Sequence, residues 1–148
     1  MIAILLDSNI YDRLAEDLAI CEQLKALIHS ENVRIIVSRT VAEELTRSHF
    51  RGVPSFFPVE YVGNTVGNVN MAVNDSIGSG EVFTEHLGLS KKTADAYIAD
   101  AASWYADWLV SEDGRLLRRA QSATSRAEPM NYATFTARLR QLNLPPNH

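Results

Sequence analysis

The sequence predicts an α/β fold with a largely parallel sheet, and two observations support this prediction. Short apolar or β-branched runs alternate along the chain with longer segments of helical periodicity, the pattern of strands joined by crossover helices. The composition, with 46% hydrophobic and 22% charged residues among 148, is ordinary for a globular protein. A chain of this length can bury a core of its own, so we expect a single domain over residues 1–148.

The first half of the chain supplies two strands, two helices and a connection. The apolar run Ile2 to Leu6 predicts the first strand, which stops abruptly at Asp-Ser-Asn. Apolar residues at helical spacing predict one helix through "DRLAEDLAICEQLKALIHS"; they are Leu14, Leu18, Cys21, Leu24, Leu27 and Ile28. "VRIIVS" predicts a second buried strand. "TVAEELTRS" follows it as a helix, in which Thr40 and Glu43 have the spacing of a capping box.

The second half continues the alternation. "GVPSFFPVEYVGN" is a Pro- and Gly-rich connection with a short strand expected at Val59–Val62, and residues 65–80 predict a helix. "SKKTADAYIADAASWYAD" predicts an alanine-rich helix, "WLVS" a strand, and "EDGRLLRRA" a turn into a short helix. "QSATSRAEP" is expected to be a loop, and "NYATFTARLRQLNL" the last helix.

Several protein classes are disfavoured by the composition. Cys21 is the only cysteine, which excludes an intrachain disulfide and a cysteine-based zinc site. The four histidines have no metal-ligand spacing. The first apolar run lacks the basic start of a signal peptide, and no stretch is long enough to span a bilayer, so we expect a cytoplasmic protein without a membrane partner.

The charge is distributed unevenly. Residues 1–113 hold 8 Lys or Arg against 17 Asp or Glu, whereas residues 114–148 hold 6 Arg against Glu128 alone. An acidic body followed by an arginine-rich segment indicates an anionic partner or an acidic protein partner, although a solvated basic face is an equal alternative.

Acidic residues follow the predicted strands, where an α/β sheet binds its ligands. Asp7 ends the first strand, although an Asp there is also a common helix N-cap. Glu44 borders the apolar face of the helix after the second strand and is preferred over Glu43, which has the capping role. Asp113 follows the strand "WLVS", with a turn aspartate before Gly114 as the alternative.

A fourth acid lies inside the alanine-rich helix. Asp95 heads a stripe with Ile98, Ala99 and Ala102, so it is expected on the buried face near the start of that helix, whereas Asp100 belongs to another face. Its alternative role is that of an acid favoured by the helix dipole. Asn9 and Ser111 are expected to project beside Asp7 and Asp113 from the same sides of their strands.

Four carboxylates at one sheet edge would repel one another. A divalent cation removes that repulsion, and Mg²⁺ or Mn²⁺ suits carboxylate and water ligands. Such a site can activate water and stabilise an in-line displacement at phosphorus.

The stretches "LLDSNIYDRL", "VSRTVAEEL", "KTADAYIADAA" and "DWLVSEDGRL" resemble, in order and spacing, the four signatures of PIN-domain ribonucleases. The resemblance covers residue 1 to about residue 120, and Ser111 departs from the more usual threonine. It implies a PIN-like three-layer sandwich with a central, mainly parallel five-stranded sheet flanked by helices, and Mg²⁺- or Mn²⁺-dependent cleavage of RNA. The implied catalytic residues are Asp7, Glu44, Asp95 and Asp113, with Asp7, Asp95 and Asp113 as metal ligands and Asn9 and Ser111 in support.

The resemblance also bears on partners. Many free-standing PIN domains of this size are VapC-like toxins of toxin–antitoxin pairs, which implies an antitoxin protein; a homodimer is a further expectation. Arg115 and Arg119 share a helix face after Asp113 and are expected to bind RNA, since an acidic site needs cations beside it.

Two alternatives are set against the nuclease. A haloacid-dehalogenase-type phosphatase needs a second Asp where this chain has Asn9, and a lysine that is missing near Asp113; the P-loop motif is absent altogether. The other alternative is a PIN-like binding module with a catalytically silent site, acting through protein or RNA contacts.

Overall fold

The computed structural model describes residues 1–62, 91–122 and 126–142. These ranges contain five strands: β1 (Ile2–Leu6), β2 (Val33–Ser38), β3 (Glu60–Val62), β4 (Trp108–Val110) and β5 (Glu128–Met130). They also contain six helices: α1 (Ser8–Ala15), α2 (Leu18–His29), α3 (Arg39–Thr46), α4 (Lys91–Tyr105), α5 (Gly114–Ser122) and α6 (Tyr132–Leu142). The helix expected at residues 65–80 lies outside the described residues.

The strands form one sheet in the order β3-β2-β1-β4-β5, and every pairing is parallel. The predicted α/β class with a parallel sheet is therefore confirmed. The strand β1 is central, and its residues from Ala3 to Leu6 are buried because helices cover both faces of a parallel sheet. The third strand begins at Glu60, one residue later than predicted.

The order of the strands creates a switch point between β1 and β4. From β1 the chain proceeds outward through β2 to β3, and it then returns to the other side of β1 for β4 and β5. Because parallel crossovers are right-handed, the two halves place their helices on opposite faces, giving three layers. The helix α2 packs against β2, α1 and α6, whereas α4 packs against α5, β2 and β4. Ligands of open α/β sheets bind in the crevice that such a switch opens at the carboxyl ends of the strands.

The single helix predicted between residues 12 and 30 was wrong, since two helices are present. The carboxylate of Asp17 accepts a hydrogen bond from the Ile20 backbone N–H at 3.3 Å and starts α2 as its N-cap. An aspartate that bonds the backbone in this way ends the preceding helix and begins a new one. Leu18 is therefore at the first turn and is 74% exposed, so its place in the predicted apolar stripe was also wrong.

The predicted capping box of α3 was wrong as well. The helix begins at Arg39, so Thr40 lies inside it, and the N-cap is Ser38, whose hydroxyl accepts from the Val41 N–H at 3.3 Å. Glu43 instead pairs with Arg39 one turn earlier, at 3.2 Å. Glu43 therefore has no capping role.

The strand β5 was missed, because residues 121–129 were expected to be a loop. Its pairing with β4 uses the Glu128 N–H and the Met130 carbonyl. Pro129 has no N–H to donate, which a strand tolerates at the edge of a sheet. None of the helices in the described ranges is long and apolar enough to cross a membrane.

Candidate functional site

The candidate site lies where β1 and β4 end, at the switch point of the sheet. Leu6 is in register with Val110, so the next residues, Asp7 and Ser111, are level with each other. The Asp7 backbone N–H donates to the Val110 carbonyl at 2.9 Å, which extends the pairing of the strands by one step. A buried carboxylate is thereby fixed at the crevice that the fold opens.

Ser111 links two of the predicted acids. Its hydroxyl donates to Oδ2 of Asp7 at 2.6 Å and accepts from the Asp113 backbone N–H at 2.9 Å. Ser111 is fully buried and Asp7 is 5% exposed. The short distance is that of a charge-assisted hydrogen bond between a hydroxyl and a carboxylate. The sequence prediction that Ser111 supports Asp7 and Asp113 agrees with these contacts.

Both aspartates of this chain of hydrogen bonds also cap helices. Oδ1 of Asp7 accepts from the Ser8 N–H at 2.8 Å at the start of α1. Oδ1 of Asp113 accepts from the N–H groups of Arg115 at 2.9 Å and Leu116 at 3.4 Å at the start of α5. Asp7 and Asp113 therefore have the structural roles at helix starts that were expected as alternatives. They are also joined through Ser111, as residues of a shared site would be.

Glu44 reaches the same region through Ser8. Its Oε1 accepts a hydrogen bond from the Ser8 hydroxyl at 2.8 Å, and Ser8 is the neighbour of Asp7. The adjacent Glu43 turns to Arg39 instead. The preference for Glu44 over Glu43 thus agrees with the geometry. Ser8 was missed by sequence reasoning as a site residue, although it stands inside the polar stretch that ends β1.

Three further polar contacts hold the loop after β4. Oδ1 of Asn9 accepts from the Glu112 backbone N–H at 3.2 Å. Asn9 lies in α1 and does not project from β1 as predicted, and its side chain joins the start of α1 to this loop. The Glu112 carboxylate contacts Arg13 of α1 at 2.8 Å and accepts from the Tyr132 N–H at 2.8 Å. No local pattern in the sequence indicates the partners of the Glu112 carboxylate, which are 99 and 20 residues away.

Asp95 lies on the buried face of α4, as predicted. It is 3% exposed, and its stripe partners Ile98, Ala99 and Ala102 are buried, whereas Asp100 is exposed. The helix ends at the amino edge of the sheet, where β4 begins, and Asp95 is ten residues before Tyr105, about 15 Å back along the axis. Asp95 is therefore in the half of α4 that is remote from the start of β4.

The predicted RNA-binding arginines lie on the outer face of α5. Arg115 and Arg119 are exposed, and Leu116 and Ala120 are buried on the opposite side against the core. The helix begins at Gly114, directly after Asp113. Arg115 is therefore within the first turn beside the candidate site, and Arg119 is one turn further away.

Whether the acidic residues of the candidate site could bind a metal ion depends on the chemistry of their donor atoms and on how closely the side chains are grouped. The carboxylates of Asp7, Glu44 and Asp113 are hard oxygen donors, which suit Mg²⁺ or Mn²⁺. Across residues 1–62, 91–122 and 126–142, however, no three Asp, Glu, His or Cys side chains form a group that could hold a metal ion. The donor chemistry fits an Mg²⁺ ion that keeps several waters and takes one or two protein carboxylates.

The comparisons with known proteins found no match. No protein-family model matches the chain, and neither the curated proteins nor the solved structures contain a significant match to it.

Proposed function

We propose that this protein is a divalent-metal-dependent endoribonuclease of the PIN type, with Asp7, Glu44, Asp95 and Asp113 as its acidic residues. The observation that carries the proposal is the buried hydrogen-bonded chain from Asp7 through Ser111 to Asp113 at the switch point of a parallel sheet. Ligand sites of open α/β sheets lie there. A buried charge is costly, and a hydroxyl that holds it in one direction is typical of a site that uses the charge.

Asp7, Asp95 and Asp113 are the proposed carboxylates for Mg²⁺ or Mn²⁺; one or two of them would contact the ion directly, and bound waters would complete its coordination. A carboxylate oxygen has two lone pairs, so an oxygen that accepts one hydrogen bond can also bind a cation. When bound, the ion would supply Lewis acidity toward a phosphate oxygen and a lowered pKa for a bound water.

The residues of the chain have separate tasks in this proposal. Ser111 fixes the direction of the Asp7 carboxylate, and the first turn of α5 fixes that of Asp113. Glu44 is held at the site through Ser8. Arg115 and Arg119 would neutralise phosphates of the RNA as it approaches an acidic region.

The proposal is tested with purified protein on mixed RNA, in Mg²⁺ or Mn²⁺ and with excess chelator. We expect cleavage that depends on the metal and is abolished in Asp7→Asn, which keeps the size of the side chain but removes its charge. Asp12→Asn is the matched control, because Asp12 is an exposed acid of the same helix. Full cleavage by a folded Asp7→Asn variant would contradict the nuclease.

The buried acid of α4 provides a second matched pair. Asp95→Asn is expected to lose cleavage, whereas Asp100→Asn, an exposed acid on another face of the same helix, should retain it. Equal activity of the two variants would remove Asp95 from the proposed set.

A second candidate function is a PIN-like binding module with a silent site. It is favoured by the lack of a three-acid group in the described part of the chain. RNA binding in chelator, without cleavage in any metal, would support this candidate. The double variant Arg115→Ala with Arg119→Ala should then weaken binding and flatten the salt dependence by about 0.7 for each lost phosphate contact.

The proposal extends to the toxin of a toxin–antitoxin pair with an antitoxin partner. Expression in a bacterial host should then arrest growth, and Asp7→Asn should relieve the arrest. Normal growth with active protein present would contradict the toxin role while leaving the nuclease intact. The proposed homodimer is tested separately by sedimentation, where a mass near 16.5 kDa would contradict it.

A further inference from the structure

Glu112 is anchored by three residues that belong to two helices, α1 and α6. Its carboxylate accepts from Arg13 of α1 at 2.8 Å and from the Tyr132 N–H at the start of α6, also at 2.8 Å. Its backbone N–H donates to the side chain of Asn9 at 3.2 Å. Glu112 is the middle residue between Ser111 and Asp113, so both of its neighbours belong to the candidate site.

The partners of Glu112 are themselves tied together. The Tyr132 hydroxyl donates to Oδ2 of Asp17 at 2.8 Å, and Asp17 is the residue that caps α2. The Arg13 guanidinium lies over the Tyr132 ring, 5.8 Å from its centre. Burial and the bond to Asp17 raise the pKa of Tyr132, so its hydroxyl stays protonated and remains a donor. Arg13, Glu112 and Tyr132 therefore form a closed ring of contacts, and Asp17 joins this ring through the Tyr132 hydroxyl.

The contacts of this ring contribute little to the free energy of unfolding. The side chains of Arg13 and Glu112 are 55% and 31% exposed, and an exposed ion pair contributes about 1 kcal/mol or less. A displacement of a catalytic group by about 1 Å, in contrast, can cost ~100-fold in rate. We therefore expect the contacts that fix the loop from Ser111 to Asp113 to affect the catalytic rate more than the stability of the fold.

We infer that Glu112 is a positioning residue that sets Ser111 and Asp113 by holding their loop between α1 and the start of α6. For catalysis the inference rests on the proposed nuclease function, whereas for loop geometry it stands on the contacts alone. It also assigns α6 a part in the site, because a shift of the first turn of α6 displaces one anchor of the loop.

The test compares Glu112→Ala with Glu60→Ala. Glu60 is a matched control because it makes an ion pair of the same length, 2.8 Å to Arg34, on the edge strand β3 away from the switch point. Glu112→Gln is a third variant, since its amide oxygen can still accept from the Tyr132 N–H. Steady-state cleavage of RNA is measured for each variant, together with the amide resonances of Ser8 and Arg115, whose N–H groups bond the carboxylates of Asp7 and Asp113 and which are not sequence neighbours of residue 112.

We expect Glu112→Ala to lower kcat by ~10- to 100-fold with little change in KM, because the loop acts on the reacting groups and not on the bulk of the RNA. Glu112→Gln should recover part of the loss, and Glu60→Ala should match the unaltered protein. The amide resonances of Ser8 and Arg115 should shift in Glu112→Ala and stay in place in Glu60→Ala.

The two readouts separate the possible failures. Unmoved resonances in Glu112→Ala would overturn the positioning role, whatever the activity. Moved resonances with unchanged kcat would overturn its role in catalysis. If the unaltered protein cleaves no RNA, the nuclease proposal fails, and the resonances alone still decide whether Glu112 sets the loop.

Discussion

Removal of the Ser111 hydroxyl is the sharpest test of the buried chain of hydrogen bonds at the candidate site. In Ser111→Ala, Oδ2 of Asp7 loses its donor and the Asp113 N–H loses its acceptor. Water cannot easily replace the hydroxyl, because Ser111 is fully buried and Asp7 is 5% exposed. Both lost bonds should therefore reduce the free energy of unfolding.

The magnitude follows from the two bonds. A hydrogen bond to a charged group contributes about 1.5–3 kcal/mol, and a bond from a neutral backbone N–H about 0.5–1.5 kcal/mol. We therefore expect a loss of about 2–4 kcal/mol, measured by urea unfolding at neutral pH in chelator. For a chain of this length the melting temperature should fall by roughly 5–15 °C, at about 2–4 °C per kcal/mol.

Ser38→Ala is the matched control for this experiment. Ser38 is also buried, also ends a central strand, and makes one neutral N-cap bond to Val41 at 3.3 Å. The loss of such a cap costs about 0.5–2 kcal/mol. Ser111→Thr retains the hydroxyl and should keep most of the stability. If Ser111→Ala costs no more than Ser38→Ala, the bond to Asp7 is not a charged, buried interaction, and the reasoning is refuted.

Three further predictions concern other contacts. Glu44→Gln should reduce RNA cleavage far more than Glu43→Gln in the same assay, because only Glu44 contacts Ser8; equal losses would mean that the wrong glutamate has been chosen. Asp17→Ala should lower the free energy of unfolding by about 1–3 kcal/mol in urea titrations, since it removes the cap of α2 and the acceptor of the Tyr132 hydroxyl; no loss would argue against both contacts. Hydrogen bonds from Arg138 lower the pKa of Glu128 from its ordinary value of 4.5. The ionised Glu128 therefore stabilises the fold above that value, and this contribution is lost as the pH falls through the lower pKa of the folded state. The difference in unfolding free energy between Glu128→Gln and the unaltered protein should shrink over that range, and a difference independent of pH would contradict the assignment.

The parts of the fold that the sequence predicted are those with local physical signals. The runs at residues 2–6 and 33–38 are apolar because both faces of a central parallel strand are covered. Once the strands are parallel, their carboxyl ends meet at one edge, so Asp7 and Ser111 could be expected to lie together. The choice of Glu44 over Glu43 depended on helical periodicity, which is likewise a local property, and on a capping role for Glu43 that the structure does not show.

The parts that could not be predicted depend on contacts between distant residues. The strand β5 forms because Glu128 and Met130 pair with β4, and a Glu-Pro-Met sequence carries no strand pattern of its own. Leu18 has helical spacing with Leu14 and Cys21, yet the cap at Asp17 breaks the helix between them. The contacts of Glu112 join it to residues 99 and 20 positions away, and the sequence around Glu112 does not predict them.

The candidate site also shows why structural and functional roles of an acid are not exclusive. The cap at α1 uses Oδ1 of Asp7, whereas Ser111 binds Oδ2, so the two contacts together fix the plane of the carboxylate. At the start of α5, the N–H groups of Arg115 and Leu116 both hold Oδ1 of Asp113. A carboxylate with a fixed orientation loses less entropy on binding a cation than one on a mobile side chain. Helix capping at the carboxyl ends of β1 and β4 therefore prepares the proposed site. For Asp7 and Asp113, the structural role and the proposed metal-binding role that the sequence left open are compatible with one arrangement of the side chain.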